Sequence, residues 1–285
     1  MPVHGFIGLG NMGAPMSANL VKAGFALVVH DAAGTQARAP AGAALGASAA
    51  DVAAKADTIF LSLPDGKIVL AVLDQLLGSG ARRARIVVDL STVGIEAARE
   101  AERRCAAAGL TYIDAPVSGG RAGAVAASLA IMAAGPRDVF DGLHKPFAAM
   151  AKNVFYVGAA AGMGQALKLL NNFLSATALA ATSEAFAFGL AAGLDLKTMY
   201  EVVNVSTGRN TATLEKFPQR IVTEKYDSGF ATALMAKDVA LYAENVGRAG
   251  TRNEIGAVIN EAWQGLNASL PGSDHTRMWN YISKK

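Results

Sequence analysis

Six residues near the start of the chain, Gly8-Leu9-Gly10-Asn11-Met12-Gly13, restrict the fold more than any other part of the sequence. They follow an apolar run directly and open an alanine-rich segment, so the pattern predicts a strand, a tight turn and a helix. In a dinucleotide-binding turn of this kind, Gly8 allows the turn, Gly10 lets a pyrophosphate approach the backbone, and Gly13 lets helix and strand pack closely. The start of the helix adds free N–H groups and positive potential for the phosphates. The motif therefore predicts a dinucleotide site, and the alternative interpretation is a purely structural glycine turn.

The first half of the chain alternates short β-branched runs with alanine-rich helical segments. This alternation predicts an α/β fold with a doubly wound, Rossmann-type sheet. The predicted buried parallel strands cover residues 3–7, 27–29, 58–63, 86–89 and 111–113. The predicted helices between them include residues 14–23, 66–77 and 96–108. Two further strands, 129–133 and 154–157, are predicted on either side of a helix over residues 136–150.

After Gly158 the pattern changes, and no run from residue 162 onwards predicts a strand. A long helix is predicted over residues 164–192, closed by Gly193. Shorter helices are predicted over residues 196–204, 211–217, 234–249 and 255–266. We therefore expect a dinucleotide-binding domain over residues 1–160 and an all-α domain for substrate binding and oligomerisation over residues 161–285, joined through the long helix.

The composition allows a large buried core and argues against several classes of partner. Hydrophobic residues make up 52% of the 285 residues, and charged residues make up 17%. The net charge of +3 comes from scattered Lys and Arg. Their densest group, residues 82–85, lacks interleaved aromatic side chains, so we expect no nucleic-acid-binding surface.

The cysteine, histidine and polar positions carry further expectations. A single cysteine, Cys105, excludes an internal disulfide and fits a reducing compartment, so we expect a cytoplasmic protein. No secretory signal is expected, because the glycine turn at residues 8–13 stands where the apolar region of such a signal would need to continue. Lys168, Asn171, Asn172 and Glu184 interrupt the longest apolar tract, so no membrane span is expected. The four histidines are isolated from one another in the sequence, and no metal site is expected.

Asp31 bears on the choice of cofactor. It stands at the end of the second predicted strand, where a carboxylate accepts hydrogen bonds from the adenosine ribose hydroxyls and repels a 2′-phosphate. No arginine follows until Arg38. The sequence therefore favours NAD over NADP, and the alternative interpretation is that Asp31 only caps the next turn.

Lys168 is a lone cation in an apolar helical stretch, with no other Lys or Arg between Lys152 and Lys197. An ammonium on such a helix must be hydrated or paired, because burying an unpaired charge is expensive. Asn172 lies one turn further along the same helix face. The two side chains could hold one oxygen-bearing substrate between them, and the alternative is a lysine that extends its tip to solvent from a helix end.

Four motifs in this order resemble those of the β-hydroxyacid dehydrogenase family, which includes 3-hydroxyisobutyrate dehydrogenase and tartronate semialdehyde reductase. They are the glycine turn with its first helical residues and three later segments, at residues 8–16, 114–120, 164–172 and 235–238. Together they span nearly the whole chain. The resemblance implies hydride transfer between NAD and the hydroxyl carbon of a small β-hydroxy acid.

The resemblance also implies roles for individual residues. Lys168 is the catalytic acid and base, and Asn172 is its partner on the helix. The turn Ser118-Gly119-Gly120 binds the substrate carboxylate through its hydroxyl and backbone N–H groups, and Phe230 closes one wall of the site. The implied cofactor-binding residues are Gly8, Leu9, Gly10, Asn11, Met12, Gly13, Asp31, Leu63, Pro64, Thr92 and Lys237.

One departure from the family pattern concerns the substrate. Members that act on 3-hydroxyisobutyrate tend to carry a Trp shortly after a Ser-Gly-Arg loop, whereas residues 206–211 here are small and polar apart from Arg209. A wider or more polar pocket is expected, and tartronate semialdehyde reductase is an alternative function. An imine reductase usually replaces the lysine, and a non-catalytic NAD-binding protein would not need Lys168, Asn172 and Ser118 together.

A homodimer or homotetramer is expected through the helical half, because the long helix would expose apolar surface in one subunit.

Overall fold

The computed structural model describes residues 2–78, 80 and 82–284 of the chain. They form two compact units, one up to Lys168 and one from Leu169 onwards. The predicted domain boundary after residue 160 lies shortly before this division and stays a prediction. Positions 1 and 285, the outer limits of the predicted domains, lie outside the described residues.

Within the described residues, the first unit contains a nine-stranded sheet. Its strands are β1 (Val3–Ile7), β2 (Ala26–His30), β3 (Ala44–Leu45), β4 (Thr58–Leu61), β5 (Ile86–Asp89), β6 (Thr111–Asp114), β7 (Val117–Ser118), β8 (Leu129–Ala134) and β9 (Ala151–Gly158). The order β3-β2-β1-β4-β5-β6 is parallel throughout, as predicted for the first five strands of the sequence analysis. β8 runs antiparallel to β6 and β7, and β9 pairs with β8 in parallel. The chain order reverses between β1 and β4, where sheets of this kind bind ligands beyond the carboxyl ends of the strands.

Short helices cover this sheet. They are α1 (Gly13–Lys22), α2 (Thr35–Arg38), α3 (Ala49–Lys55), α4 (Gly66–Leu77), α5 (Ile95–Ala107), α6 (Gly120–Val125), α7 (Arg137–Gly142) and α8 (His144–Met150). The single helix predicted over residues 136–150 is wrong, because the structure has two helices separated at Leu143. Pro146 accounts for the break, since it has no N–H for the Gly142 carbonyl and its ring would clash with that carbonyl in a continuous helix.

The core of the first unit lies on both faces of the sheet. Phe60 points to one face and packs with Phe6, at 6.2 Å between ring centroids, whereas its neighbours Ile59 and Leu61 point to the other face. Cys105 of α5 is fully buried in the second cluster. Burial, with a smaller effect from Asp89, raises the pKa of the Cys105 thiol to about 12.

In the described part of the second unit, helices are joined by turns and loops, and the β-structure is limited to one isolated bridge between Ala231 and Asp274. Its helices are α9 (Met163–Ala191, which begins in the first unit), α10 (Leu196–Asn204), a π-helix (Ala212–Ile221), α11 (Thr232–Arg248), α12 (Glu254–Ser269), a 3₁₀-helix (His275–Arg277) and α13 (Met278–Ser283). An ordinary helix was expected over residues 211–217, but the segment winds more widely. Pro218 inside it cannot donate to Leu214, and the wider turn avoids the clash of its ring with that carbonyl.

The long helix α9 has two contrasting sides. Phe186 and Leu179 belong to the core of the second unit. Large apolar side chains on another side are 36% to 75% exposed at helical spacing, namely Met163, Leu167, Leu170, Leu174 and Phe188. Among the described residues, α9 is also the one helix long and apolar enough to cross a membrane by length and composition, and 39% of its most apolar window is buried.

Candidate active site

The glycine turn lies between β1 and α1, at the reversal of strand order. Gly8 has φ +93°, and a Cβ there would run into the Ser62 carbonyl oxygen. A Cβ on Gly13 would overlap the Gly8 carbonyl. At Gly10, by contrast, no atom lies within 4 Å of an ideal Cβ, and φ is not in the left-handed region. The protein's own packing therefore explains Gly8 and Gly13, and Gly10 leaves open space where a phosphate can meet the backbone.

The start of α1 fits a phosphate electrostatically. Its N-cap, Met12, makes no side-chain capping bond, and the first turn contains no acidic residue. Gly10 and Asn11 are exposed, whereas Leu9 is buried beneath them. No side-chain cap therefore neutralises the positive end of this helix, and its first N–H groups can bind an anion.

Asp31 follows β2 and is fixed towards this turn. Its Oδ2 accepts a hydrogen bond from the Leu9 N–H at 2.6 Å, and its Oδ1 accepts one from the Ala33 N–H at 2.8 Å. The Arg38 guanidinium lies 3.5 Å from Oδ1 and is largely exposed. Oδ1 thus accepts from both Ala33 and Arg38, whereas Oδ2 keeps a second lone pair for a ribose hydroxyl. The residues of this edge fit NAD.

The loops after β4 and β5 are tied together. The Leu63 N–H donates to Ser91 Oγ at 2.9 Å, and the Ser91 N–H donates to Asp89 Oδ1 at 2.9 Å. The buried Tyr112 hydroxyl donates to Asp89 Oδ2 at 2.8 Å. The predicted cofactor residues Leu63, Pro64 and Thr92 therefore belong to loops that hydrogen bonds with Ser91 and Asp89 hold in place.

Gln165, fully buried in the first turns of α9, joins this edge to the helix. Its Oε1 accepts from the N–H groups of Val93 and Gly94, at 2.8 and 3.2 Å. Its Nε2 donates to Asp114 Oδ1 at 2.6 Å and to the Ser91 carbonyl at 3.1 Å. One side chain thus fixes both residues that follow Thr92 and anchors the helix that carries Lys168.

Asp114 completes the anchor at the end of β6. Its Oδ2 accepts from the N–H groups of Gly162 and Gln165, at 2.9 and 3.1 Å. Burial raises the pKa of Asp114 to about 6, although the hydrogen bonds from Gln165 act in the opposite direction. Lys168 follows Gln165 by one turn of the helix and is 8% exposed. Its backbone position is therefore set by a buried network.

The predicted carboxylate turn leads on from Asp114. Ser118 ends β7, where it pairs with Ala130 of β8. Gly119 and Gly120 follow with φ values of +126° and +62°, which only glycine adopts readily in succession. Backbone N–H groups in such a turn can converge on an anion.

In the second unit, Asn172 is oriented by Asp238. The Asn172 amide donates to Asp238 Oδ2 at 2.6 Å, and both residues are almost fully buried. The Lys237 ammonium lies 3.3 Å from Asp238 Oδ1. One N–H of the Asn172 amide is thereby used internally, and its Oδ1 accepts from the Asn171 amide at 3.2 Å, which leaves one N–H and one lone pair of Asn172 for other partners.

Phe230 lies on a segment held by the chain near residue 275. Its carbonyl accepts from the backbone N–H of His275 at 2.9 Å, and the two rings are 5.7 Å apart. The Ser228 hydroxyl lies 2.8 Å from Asp274 Oδ2 and 2.8 Å from His275 Nδ1. Burial, assisted by the charge of Lys216, lowers the pKa of His275 to about 4. We name Ser228, Asp274 and His275 the Phe230 clamp.

Sequence reasoning missed four supporting residues, Asp89, Asp114, Gln165 and Asp238. Three of them lie inside the motifs at residues 114–120, 164–172 and 235–238, for which the sequence predicts other functional residues. The available signal was a carboxylate ending an apolar strand at Asp89 and Asp114, since such a group must find buried partners. Among the described residues, no group of three or more His, Cys, Asp or Glu side chains could hold a metal ion.

The fold and these residues define a dinucleotide-dependent oxidoreductase with a helical second unit. Residues 4–158 match the model of the NAD-binding domain of 6-phosphogluconate dehydrogenase. Residues 162–282 match the NAD-binding model of NADP-dependent 3-hydroxyisobutyrate dehydrogenase.

Individual relatives agree with these models. The chain is 32% identical to the mitochondrial 3-hydroxyisobutyrate dehydrogenase of Drosophila melanogaster, over 99% of this chain and 89% of that protein. It is 37% identical to the 2-(hydroxymethyl)glutarate dehydrogenase of Eubacterium barkeri, over 84% of this chain and 81% of that protein. The solved structure of Mycobacterium tuberculosis 3-hydroxyisobutyrate dehydrogenase with L-serine superposes with a TM-score of 0.89, at 33% identity and 99% coverage of both chains. The chain belongs to the β-hydroxyacid dehydrogenase family and is an NAD-linked hydroxyacid oxidoreductase, as the sequence motifs indicated.

Proposed function

We propose that the protein oxidises the primary hydroxyl of a small β-hydroxy acid to the aldehyde, with Lys168 as the acid and base. The observation that carries the proposal is the placement of Lys168. It is buried on α9 one turn after Gln165, whose side chain is bonded to the strand-end loops of the NAD-binding unit. A cation is held there although its burial is costly.

The proton and the hydride leave the substrate for two different acceptors. The neutral amine of Lys168 takes the hydroxyl proton while the carbinol C–H bond breaks, and the electron pair of that bond leaves as hydride. NAD, when bound, supplies the hydride acceptor. In the reverse direction the Lys168 ammonium returns the proton to the carbonyl oxygen.

The other predicted residues position the reactants in this proposal. Ser118 and the N–H groups of Gly119 and Gly120 bind the substrate carboxylate, and Asn172, oriented by Asp238, directs the reacting oxygen. Leu63, Pro64 and Thr92 contact the nicotinamide side of the cofactor. Lys237 contacts the cofactor, and Phe230 closes the substrate pocket.

The substrate proposed first is a 3-hydroxyisobutyrate-like acid, with a hydroxymethyl group next to the carbon that carries the carboxylate. The names of the relatives support this class, since 3-hydroxyisobutyrate and 2-(hydroxymethyl)glutarate share that arrangement. Reduction of tartronate semialdehyde is the second candidate. The small polar residues at 206–211, where a Trp would narrow the pocket, favour it.

We also propose a homodimer or homotetramer. On α9, Met163, Leu167, Leu170 and Leu174 expose apolar side chains at helical spacing, and Phe188 is exposed about four turns further on. Contiguous apolar surface of this kind is usually covered by another chain. Sedimentation of the native chain and of Phe188→Glu tests this, and an unchanged monomer in both would refute it.

The experiment that tests the function is NADH formation by the purified protein with NAD and a panel of hydroxy acids. The panel contains 3-hydroxyisobutyrate, glycerate, L-serine, threonate and 4-hydroxybutyrate, with NADP in parallel. Lys168→Ala should lose at least a thousandfold in kcat while NAD affinity changes little, because it removes only the proton-transfer group. Turnover within tenfold of the native protein would refute the role of Lys168.

A further inference from the structure

The second unit contains a cation that the proposed chemistry does not use. Lys216 projects from the π-helix, and its ammonium donates to Ser175 Oγ of α9 at 2.8 Å. It forms no ion pair with any carboxylate of the described residues. Burial lowers the pKa of Lys216 to about 8, against a small opposite effect of Glu215. A half-buried ammonium with only a hydroxyl partner is stabilised when an anion reaches it.

Ser175 places this cation next to the proposed reaction centre. Residues 168, 172 and 175 are spaced by four and three positions, so they form one stripe along the same side of α9. Lys168 and Asn172 are buried on that stripe, and Ser175 is half-buried. The stripe spans about 10 Å at 1.5 Å per residue, which a glutarate-sized molecule can cover with help from two lysine side chains.

The segment that carries Lys216 is held in place. Asn210 Oδ1 accepts from the N–H of Ala212 at 2.8 Å, and Asn210 Nδ2 donates to Thr182 Oγ1 of α9 at 3.2 Å. Asn204 of α10 donates to the Thr213 carbonyl at 3.0 Å. The start of the π-helix is thus capped and tied to two helices. π-helical turns are frequent at functional sites.

Neighbouring groups do not neutralise the charge. His275 is close enough for Lys216 to lower its pKa, and the buried imidazole is neutral at pH 7. Glu215, the adjacent residue, is exposed. Phe230, which the function proposal places against the substrate, packs on His275. The cation therefore lies beside the Phe230 clamp with its charge directed at the stripe on α9.

We propose that Lys216 and Ser175 form a subsite for a second carboxylate of the substrate. The preferred substrates are then hydroxy diacids of the 2-(hydroxymethyl)glutarate type rather than monoacids. This inference rests on the proposed function, because the stripe on α9 is defined by Lys168 and Asn172.

The test compares substrates that differ only in the distal group. 3-Hydroxyisobutyrate carries a methyl group where 2-(hydroxymethyl)glutarate carries a carboxyethyl group, and the corresponding ω-amide is the neutral isostere. The native protein should show a kcat/KM for the diacid at least tenfold above those of the monoacid and the amide. Lys216→Met should reduce the diacid-to-monoacid ratio at least tenfold, mainly through the diacid KM. Lys216→Arg should retain most of the ratio, and Ser175→Ala should lose about threefold.

The matched control is Lys197→Met, an exposed lysine of α10 paired with Glu201, which should keep the native ratio. An unchanged ratio in Lys216→Met, or a native protein that does not prefer the diacid, would overturn the subsite. If Lys216→Met does not fold, Ser175→Ala decides: a threefold loss of the ratio supports the subsite, and an unchanged ratio overturns it.

A binding measurement separates this inference from the proposed function. Calorimetric titration of the NAD complex with glutarate and with butyrate requires no turnover. Glutarate should bind at least tenfold more tightly, and Lys216→Met should remove the difference. If no hydroxy acid is oxidised but this difference is found, the proposed function fails and the anion subsite stands. Equal binding of the two acids overturns the subsite even if monoacids are oxidised.

Discussion

Two polar networks, a buried one in the first unit and a partly buried one in the second, hold the proposed active-site residues by different means. In the first unit, Asp89, Asp114 and Gln165 lie where parallel strands end, so the sheet brings them together and they anchor a helix. In the second unit, Ser228 bonds to Asp274 and His275, which lie more than forty positions later in the chain, and these bonds fix the loop that carries Phe230. In a parallel sheet, the strand ends all lie at one edge, so polar residues that follow different strands are brought close together by the topology. In the helical unit, two loop segments must instead form specific hydrogen bonds with each other. We expect the first network to control the chemical step and the second to control substrate affinity.

Within the two networks, the largest effect is expected at Gln165. Gln165→Leu leaves the N–H groups of Val93 and Gly94 and one oxygen of Asp114 without this partner, each at a cost of about 1–3 kcal/mol. The displaced helix start should also lower kcat by roughly a hundredfold, since small misplacements are that costly. Urea denaturation and steady-state kinetics measure both effects. Gln219→Leu, at an exposed site in the π-helix, is the control and should leave both quantities near native.

The two networks should respond to pH in opposite directions. The pKa of Asp114 is raised from 3.8 to about 6, so its contribution is full below pH 4 and is lost as the pH rises through 6. The pKa of His275 is lowered from 6.5 to about 4, so its contribution is full above pH 6.5 and is lost as the pH falls through 4. Each amounts to about 3 kcal/mol, and the two oppose each other in the native chain.

Single variants should uncover these opposing contributions. Relative to the native chain, Asp114→Asn should make the free energy of unfolding rise more with pH between 4 and 6.5, and His275→Phe should make it rise less. Urea titrations at several pH values in this window measure the difference. If the free energy of unfolding depended on pH in the same way in both variants, the opposite pH dependences assigned to Asp114 and His275 would be contradicted.

The glycine turn should show a smaller effect that separates binding from folding. Gly10→Ala adds a methyl group in open space, so we expect NAD affinity to fall about tenfold, or about 1.4 kcal/mol, with an unchanged melting temperature. Gly13→Ala is the contrast, because its methyl group meets the Gly8 carbonyl and should destabilise the fold. Fluorescence titration with NADH and thermal melts distinguish the two. Unchanged NADH binding by Gly10→Ala would show that the phosphates lie elsewhere.

The smallest effect is expected at the Phe230 clamp. Ser228→Ala removes a hydroxyl bonded to Asp274 and His275, at a cost of about 1 kcal/mol. We expect the substrate KM to rise a few-fold while kcat stays near native, because the loop is loosened and Lys168 is not. A lower kcat with unchanged KM would reverse the roles given to the two networks.

The sequence predicted the parts of the fold that follow from local pattern. Strands β1, β5 and β8 and helices α4 and α10 lie where β-branched runs and amphipathic segments placed them. The two corrections both involve proline. At Pro146 a predicted helix is split, and at Pro218 a helix widens, because a missing N–H and a bulky ring exclude the ordinary hydrogen bond.

The candidate site was predictable where one motif carries its own geometry, as in the turn from Gly8 to Gly13. It was not predictable where a side chain meets partners far away in the chain. Gln165 bonds to residues 51 to 74 positions earlier, and no periodicity in the sequence marks such a pair. Lys216 was missed for the same reason, since its partner Ser175 lies 41 positions earlier.

The buried thiol of Cys105 has a practical consequence. It is the sole cysteine of the chain, it is inaccessible, and burial raises its pKa to about 12, so thiolate-directed reagents should not modify the folded protein. Alkylation should therefore report opening of the first unit. A cysteine introduced on the surface could then carry a single fluorophore without background labelling, and the native chain provides that clean template unaltered.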